Sequence, residues 1–73
     1  MTRYKALAKL AKKDPFHRHL TNVRHAVRRW EQEIGRRVLV KGRALSGQTE
    51  DQMLESDWTS FVAWEDNQSN GGR

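Results

Sequence analysis

The basic side chains of residues 1–43 are the groups in this sequence best suited to chemistry, and that chemistry is the binding of anions. These residues hold 13 of the 14 lysines and arginines against three acids, a net charge of +10, whereas residues 44–73 carry −5. Arginine offers a planar fork of N–H donors that fits a carboxylate or a phosphate. The asymmetry therefore predicts an acidic partner. The alternative is that the two halves neutralise each other on folding.

Residue types that enzymes use are present, but their spacing fits neither catalysis nor metal binding. There is no cysteine, and no serine adjoins a histidine or a glycine-rich elbow. His17 and His19 project to opposite sides of a helix, and His25 is not one turn from either, so no zinc motif forms. Glu31 and Glu33 do not face each other on a helix and are expected to be surface groups. We therefore expect a binding protein, not an enzyme, with no catalytic residue, metal or cofactor.

Three helices are expected to position the basic side chains. The first covers residues 2–13, where Tyr4, Leu7, Leu10 and Ala11 recur at helical spacing and lysines fill most of the other positions. A helix of about 12 residues is marginal on its own, so this segment is expected to fray or to become ordered on a partner.

The second helix has clear signals at both ends. Asp14 is a favoured N-cap and Pro15 needs no amide donor at the first helical position, so the helix should begin at Pro15. Gly35 supplies a residue that commonly ends a helix. Six apolar residues at alternating spacings of four and three form one stripe between these ends: Phe16, Leu20, Val23, Val27, Trp30 and Ile34.

Residues 36–47 leave two structures open. Residues 38–40 are apolar and mostly β-branched, and residues 41–42 could turn the chain back, which would give a short β-hairpin. A two-stranded ribbon is barely stable alone. An ordered loop that packs on the helices is therefore at least as consistent with the pattern.

The third helix is expected to begin at Thr49, as N-cap, with acids in its first turn. Its apolar stripe comprises Met53, Leu54, Trp58, Phe61 and Val62. The alternative is a strand at residues 58–65, because the aromatic and β-branched residues there favour sheets.

The predicted fold is mainly α: one small helical domain over residues 1–65, built from three helices, followed by a disordered tail at 66–73. No apolar run approaches the ~18 residues that span a bilayer, and no signal peptide is evident, so a soluble, intracellular monomer is expected. The expected core residues are Phe16, Leu20, Val23, Val27, Trp30, Ile34, Leu54, Trp58 and Phe61.

The predicted partner-binding surface combines the basic first segment with arginines on and after the second helix. Its residues are Arg3, Lys5, Lys9, Lys12, Lys13, Arg24, Arg28, Arg36 and Arg37. Trp64 lies off the apolar stripe and is a candidate anchor for a partner, with packing at a helix end as the alternative.

Three classes of acidic partner compete for this surface. A membrane surface is disfavoured, because the apolar stripe of the second helix is needed for the core. A DNA-binding helix-turn-helix is disfavoured, because the gap from Gly35 to Thr49 is too long for its turn. The acids of residues 50–57 should repel nucleic acid. An acidic protein surface remains, with generic phosphate binding still open.

Three segments carry a whole-chain resemblance: MTRYKALAKLAKKDPFHRHL, RRWEQEIGRRVLVKGRALSG and DWTSFVAWEDNQ. With them the chain resembles a small transcription regulator of lytic Xanthomonas phages that binds host bacterial RNA polymerase. The resemblance implies binding to the β and β′ subunits near the RNA exit region, in the host bacterial cytoplasm. Polymerase and nascent RNA both present negative charge there, so nascent RNA is a candidate further contact of the basic residues. It also implies σ displacement at promoters and antitermination. It carries over no interface residue. The alternative is a small basic nucleic-acid-binding protein of phage or bacterial origin.

Overall fold

A computed structural model describes residues 1–71 and the side chains of residues 1–68. In this part of the chain, three α-helices and a two-stranded antiparallel hairpin form, which confirms the predicted mainly α fold. The elements in chain order are α1 (Arg3–Ala11), a 3-10 helix (Pro15–Arg18), α2 (Leu20–Ile34), β1 (Val40–Arg43), β2 (Thr49–Gln52) and α3 (Glu55–Gly71).

The helix α1 forms where the first helix was predicted. The Thr2 hydroxyl accepts a hydrogen bond from the Lys5 backbone N–H at 3.2 Å, which caps the helix. Ala6 and Leu10 are buried on the side that packs against α3, whereas the lysines of α1 are exposed. Tertiary packing therefore stabilises a helix that would be marginal alone.

The start of the second helical segment differs from the prediction. The Asp14 carboxylate accepts a hydrogen bond from the Phe16 N–H at 3.1 Å, which confirms the N-cap. The helix that follows is a 3-10 helix of four residues, and His19 is extended, so α2 begins at Leu20, later than predicted. The Asn22 side chain donates to the Phe16 carbonyl at 2.7 Å and fixes this corner.

Two glycines with positive φ shape the chain after α2. Gly35 (φ 74°) ends α2 as predicted, and its N–H donates to the Glu31 carbonyl at 2.9 Å. Gly47 (φ 88°) closes the hairpin turn by donating to the Ala44 carbonyl at 2.9 Å. Side chains with a Cβ rarely adopt this left-handed region, so glycine is required by conformation at both positions.

The hairpin that forms is longer than the one considered for residues 36–47. β1 and β2 pair across four residues each, and the turn lies at residues 44–48, not at 41–42. The predicted helix start at Thr49 is therefore wrong, because Thr49 opens β2 and α3 begins at Glu55. The reason is tertiary: Asp51, which we expected in a first helical turn, instead pairs with basic side chains of α2 and β1.

The helix α3 replaces the alternative strand at residues 58–65 and continues beyond them. Lys13 forms an ion pair with Asp66, so α3 is tied to the end of α1 where the disordered tail was expected to begin. Residues 66–68 continue α3. The side chains of the tail from residue 69, and residues 72–73 altogether, lie outside the described residues.

Phe61 lies at the centre of the core. Its ring centroid is 5.7 Å from that of Trp30, 6.2 Å from that of Trp58 and 6.1 Å from that of Trp64. The contact with Trp30 joins α2 to α3, whereas Trp58 and Trp64 lie on α3 with Phe61. The buried apolar residues are Ala6, Leu10, Val23, Ala26, Val27, Trp30, Val38, Leu39, Trp58, Phe61 and Val62.

Three of the nine residues that we expected in the core are exposed instead. Phe16 is 74% exposed, Leu54 69% and Ile34 40%. Val38 and Leu39, from the segment before β1, are buried in the core instead. This segment can pack in the core because its backbone N–H groups donate hydrogen bonds to the buried Glu31 carboxylate.

Candidate partner-binding surface

Intramolecular ion pairs divide the nine predicted partner-binding residues into two groups. Five are paired: Arg3 with Glu50 (4.0 Å), Lys13 with Asp66, Arg24 with Asp51 (3.2 Å), Arg28 with Glu31 (2.8 Å) and Arg36 with Asp57 (2.8 Å). The other four are exposed and form no ion pair with any described residue: Lys5, Lys9, Lys12 and Arg37. The two halves of the chain thus neutralise each other in part, and the unpaired cations are the candidates for a partner.

Arg24 serves the fold by holding the hairpin against α2. The Asp51 carboxylate lies 3.2 Å from Arg24 Nε and 2.8 Å from Lys41 Nζ, and its side chain is only 9% exposed. The hydrogen bond from Lys41, aided by the charges of Lys41 and Arg24, lowers the pKa of the Asp51 carboxyl against the opposing effect of burial. Arg24 is therefore a poor candidate for a partner contact.

Glu31 is buried, contrary to the expectation of a surface acid. Its carboxylate accepts hydrogen bonds from the backbone N–H of Val38 at 2.8 Å and of Leu39 at 3.0 Å, and from Arg28 Nη1 at 2.8 Å. Burial works to raise the pKa of the Glu31 carboxyl, but the three hydrogen bonds together lower it below its ordinary value. Arg28 thus compensates a buried charge. Sequence reasoning missed Glu31, although its place beside the apolar stripe was a signal.

Arg36 also has an internal role. Its Nη2 donates to Asp57 Oδ1 at 2.8 Å, and this hydrogen bond raises the pKa of the guanidinium. The Asp57 side chain is 8% exposed whereas that of Arg36 is 58% exposed. Asp57 is therefore neutralised by this ion pair, but a guanidinium has five N–H donors and only one of those of Arg36 is used here.

The outward side of α1 brings together the largest set of unpaired predicted residues. At 3.6 residues per turn, Lys5 and Lys12 lie about 140° and 160° around the helix axis from buried Leu10. Lys9 lies on the same side, and Tyr4, which is 83% exposed, lies about 80–140° around the helix axis from the three lysines. We call Tyr4, Lys5, Lys9 and Lys12 the α1 face. Three ammonium groups on one side of the helix can bind carboxylates or phosphates, and the exposed ring of Tyr4 adds apolar area at the edge of that side.

Tyr4 was not among the predicted site residues, because it was counted with the apolar stripe of the first helix. The sequence held a signal against that. Tyr4, Leu7 and Leu10 follow at successive spacings of three, and each such step drifts by about 60° around a helix. Tyr4 thus lies about 120° from Leu10, which places its ring in solvent.

Three further arginines are exposed and form no ion pair within the described residues: Arg18, Arg29 and Arg43. They lie on three different elements, the 3-10 helix, α2 and β1. None of them was in the predicted set. They match the α1 lysines in charge and exposure, which makes them suitable controls.

Trp64 has a structural explanation. Its ring stacks on Phe61, and its Nε1–H donates to Glu33 Oε2 at 2.9 Å, so it joins α3 to the end of α2. The alternative of packing at a helix end accounts for its position.

A cleft of about 420 Å³ opens between α1 and α3. Leu10 and Val62 contribute apolar surface, whereas Lys9, Lys13 and Asp66 give the cleft charges of both signs. Because both signs of charge are present, this cleft favours neither an anionic nor a cationic ligand. Among residues 1–71, no group of three histidine, aspartate or glutamate side chains is arranged to hold a metal ion.

Comparisons with known proteins give no relative. No protein-family model matches the sequence, and no curated protein or solved structure shows significant similarity. Within the described part of the chain, no helix has the length and apolar character needed to cross a membrane.

Proposed function

We propose that this chain binds host bacterial RNA polymerase in the bacterial cytoplasm and regulates transcription, inhibiting initiation by σ displacement and acting as an antiterminator. The resemblance of its three sequence segments supports the identity of the partner, including its β and β′ subunits. The observation that carries the binding chemistry is the α1 face, on which three exposed lysines that pair with no described acid share one side of the helix, with exposed Tyr4 at its edge.

The α1 face suits an acidic protein surface. Unpaired ammonium groups steer an encounter with negative charge and accelerate association. An exposed tyrosine supplies apolar contact area and a hydroxyl, and tyrosine is enriched among residues that dominate binding energy. A complex with both contributions should weaken with salt but not vanish.

Direct binding to RNA is the competing function. The acids at residues 50–57, expected to repel nucleic acid, include Glu50, Asp51 and Asp57, which are all paired with basic side chains. Their repulsion is therefore weaker than the sequence suggested, and nascent RNA stays a candidate contact. An RNA complex would be far more sensitive to salt.

Affinity capture from a bacterial lysate, with and without nuclease, separates the two functions. The immobilised chain should recover the polymerase β and β′ subunits after nuclease treatment. Replacing Lys5, Lys9 and Lys12 by glutamine should reduce that recovery. Replacing Arg18, Arg29 and Arg43 by glutamine is the matched control, because it removes the same charge from other exposed positions. Loss of all partners after nuclease would instead support nucleic-acid binding.

A further inference from the structure

We propose that a groove between the hairpin and the start of α3 docks a short segment of a partner protein in which apolar side chains stand beside carboxylates. The groove holds about 390 Å³. Its lining comprises Arg36, Arg37, Val38, Val40, Gln52, Met53, Leu54 and Asp57. It shares no residue with the α1 face, so this site goes beyond the function proposed above.

The floor of the groove is aliphatic and open to solvent. Val40 is 52% exposed and Leu54 69%, and Met53 between them packs partly against the core. Single exposed apolar residues are common, but here one from β1 and one from the link between β2 and α3 line the same depression. Removing both from water on binding an apolar side chain is favourable.

The rim of the groove is basic. Arg37 forms no ion pair with any described residue, and Arg36, which donates to Asp57, keeps a side chain that is 58% exposed. Asp57 is already compensated and buried, so the groove presents net positive charge. Guanidinium groups at this rim complement carboxylates on either side of an apolar anchor.

A polypeptide fits this groove better than a nucleic acid does. Proteins that bind single strands stack bases on aromatic rings, and the groove has none among its lining residues. Valine, methionine and leucine side chains instead form pockets for aliphatic or aromatic side chains.

The walls of the groove are fixed before a partner arrives. Glu31 holds the N–H groups of Val38 and Leu39, and the ion pair of Arg36 with Asp57 ties this segment to α3. Little ordering is therefore required on binding.

The test is a titration of the full ¹⁵N-labelled chain, followed by NMR, with the acetylated and amidated peptide EDFLDE. We expect saturable shifts of the backbone amides of Arg37, Val38 and Met53. The peptide EDSSDE, with the same charge, should bind about tenfold more weakly or worse, because it has no apolar anchor. A short oligouridylate should leave these amides unshifted.

Variants locate the site. Leu54→Ser and Arg37→Glu should each weaken EDFLDE about tenfold, whereas Leu45→Ser, at a leucine that is more exposed than Leu54 and lies outside the groove, should not. Equal binding of the two peptides, unchanged binding by Leu54→Ser, or shifts confined to the α1 face would overturn the proposal. Polymerase capture is a separate readout, so its failure leaves this titration decisive for the groove.

Discussion

Replacing Glu31 by glutamine should lower the free energy of unfolding by about 2–4 kcal/mol, because the carboxylate accepts three hydrogen bonds in a buried position. Glutamine has one acceptor oxygen. If that oxygen still accepts hydrogen bonds from the N–H groups of Val38 and Leu39, the new NH₂ group faces the guanidinium of Arg28. Both groups are donors, so no hydrogen bond can form between them. Loss of one charge-assisted hydrogen bond costs about 1.5–3 kcal/mol, and the other two lose the benefit of the charge.

Urea unfolding, followed by tryptophan fluorescence, measures this loss because Trp30 and Trp58 are buried. In a domain of this size 1 kcal/mol corresponds to about 4–8 °C in Tm, so the melting temperature should fall by about 8 °C or more. Glu33→Gln is the control, since its side-chain oxygen can still accept the hydrogen bond from Trp64. A Glu31→Gln protein within about 0.5 kcal/mol of the original, or one matched by Glu33→Gln, would refute the reasoning.

The pH dependence provides a second check on Glu31. Its pKa is lowered in the folded chain, so its contribution is complete above the ordinary glutamic acid pKa and is lost as the pH falls through the folded value. The original protein should therefore lose stability below about pH 4.5, and Glu31→Gln should lose less over that range. Equal pH slopes in the two proteins would contradict the assignment.

Three further predictions concern the hairpin, the end of α2 and the groove. Asp51→Asn should increase amide hydrogen exchange in β1 and β2 about tenfold, whereas Glu50→Gln, whose ion pair is 4.0 Å long, should have little effect. Gly35→Ala should cost about 1–2 kcal/mol in urea unfolding, because no atom blocks the added Cβ and only the left-handed backbone opposes it. Leu54→Ser should leave the melting temperature nearly unchanged, because this exposed leucine lies outside the core; a loss above about 1 kcal/mol would contradict its placement.

Local signals in the sequence correctly predicted a helix cap and a helix end, but not how far each helix runs. The cap at Asp14 and the left-handed Gly35 are both confirmed, because each depends on the backbone of its neighbours alone. The segment from Pro15 forms a short 3-10 helix with Phe16 exposed, and extended His19 separates it from α2. Capping rules predict that a helix can begin, but packing decides how far it runs.

The hairpin shows where sequence reasoning reached its limit. Thr49 and the acids after it satisfy the rules for a helix start, yet they form a strand. What decides is the pairing of Asp51 with Arg24, 27 positions apart in the chain. No local pattern predicts such a contact.

The same limit applies to the partner-binding surface. The charge asymmetry predicted that basic residues would dominate, but only the fold shows which cations are paired. The sequence suggested that Arg24 and Arg28 bind a partner, but in the structure they form ion pairs with Asp51 and Glu31. Lys5, Lys9 and Lys12 could be placed on one face by helical spacing alone.

The affinity of purified bacterial RNA polymerase for two triple variants tests the central claim most directly. Exposed ion pairs contribute about 0.2–1 kcal/mol each, so replacing Lys5, Lys9 and Lys12 by glutamine should weaken the complex about tenfold. Replacing Arg18, Arg29 and Arg43 should change the affinity less than about threefold, and the difference should shrink at high salt. Equal affinities for the two variants would show that polymerase does not use the α1 face.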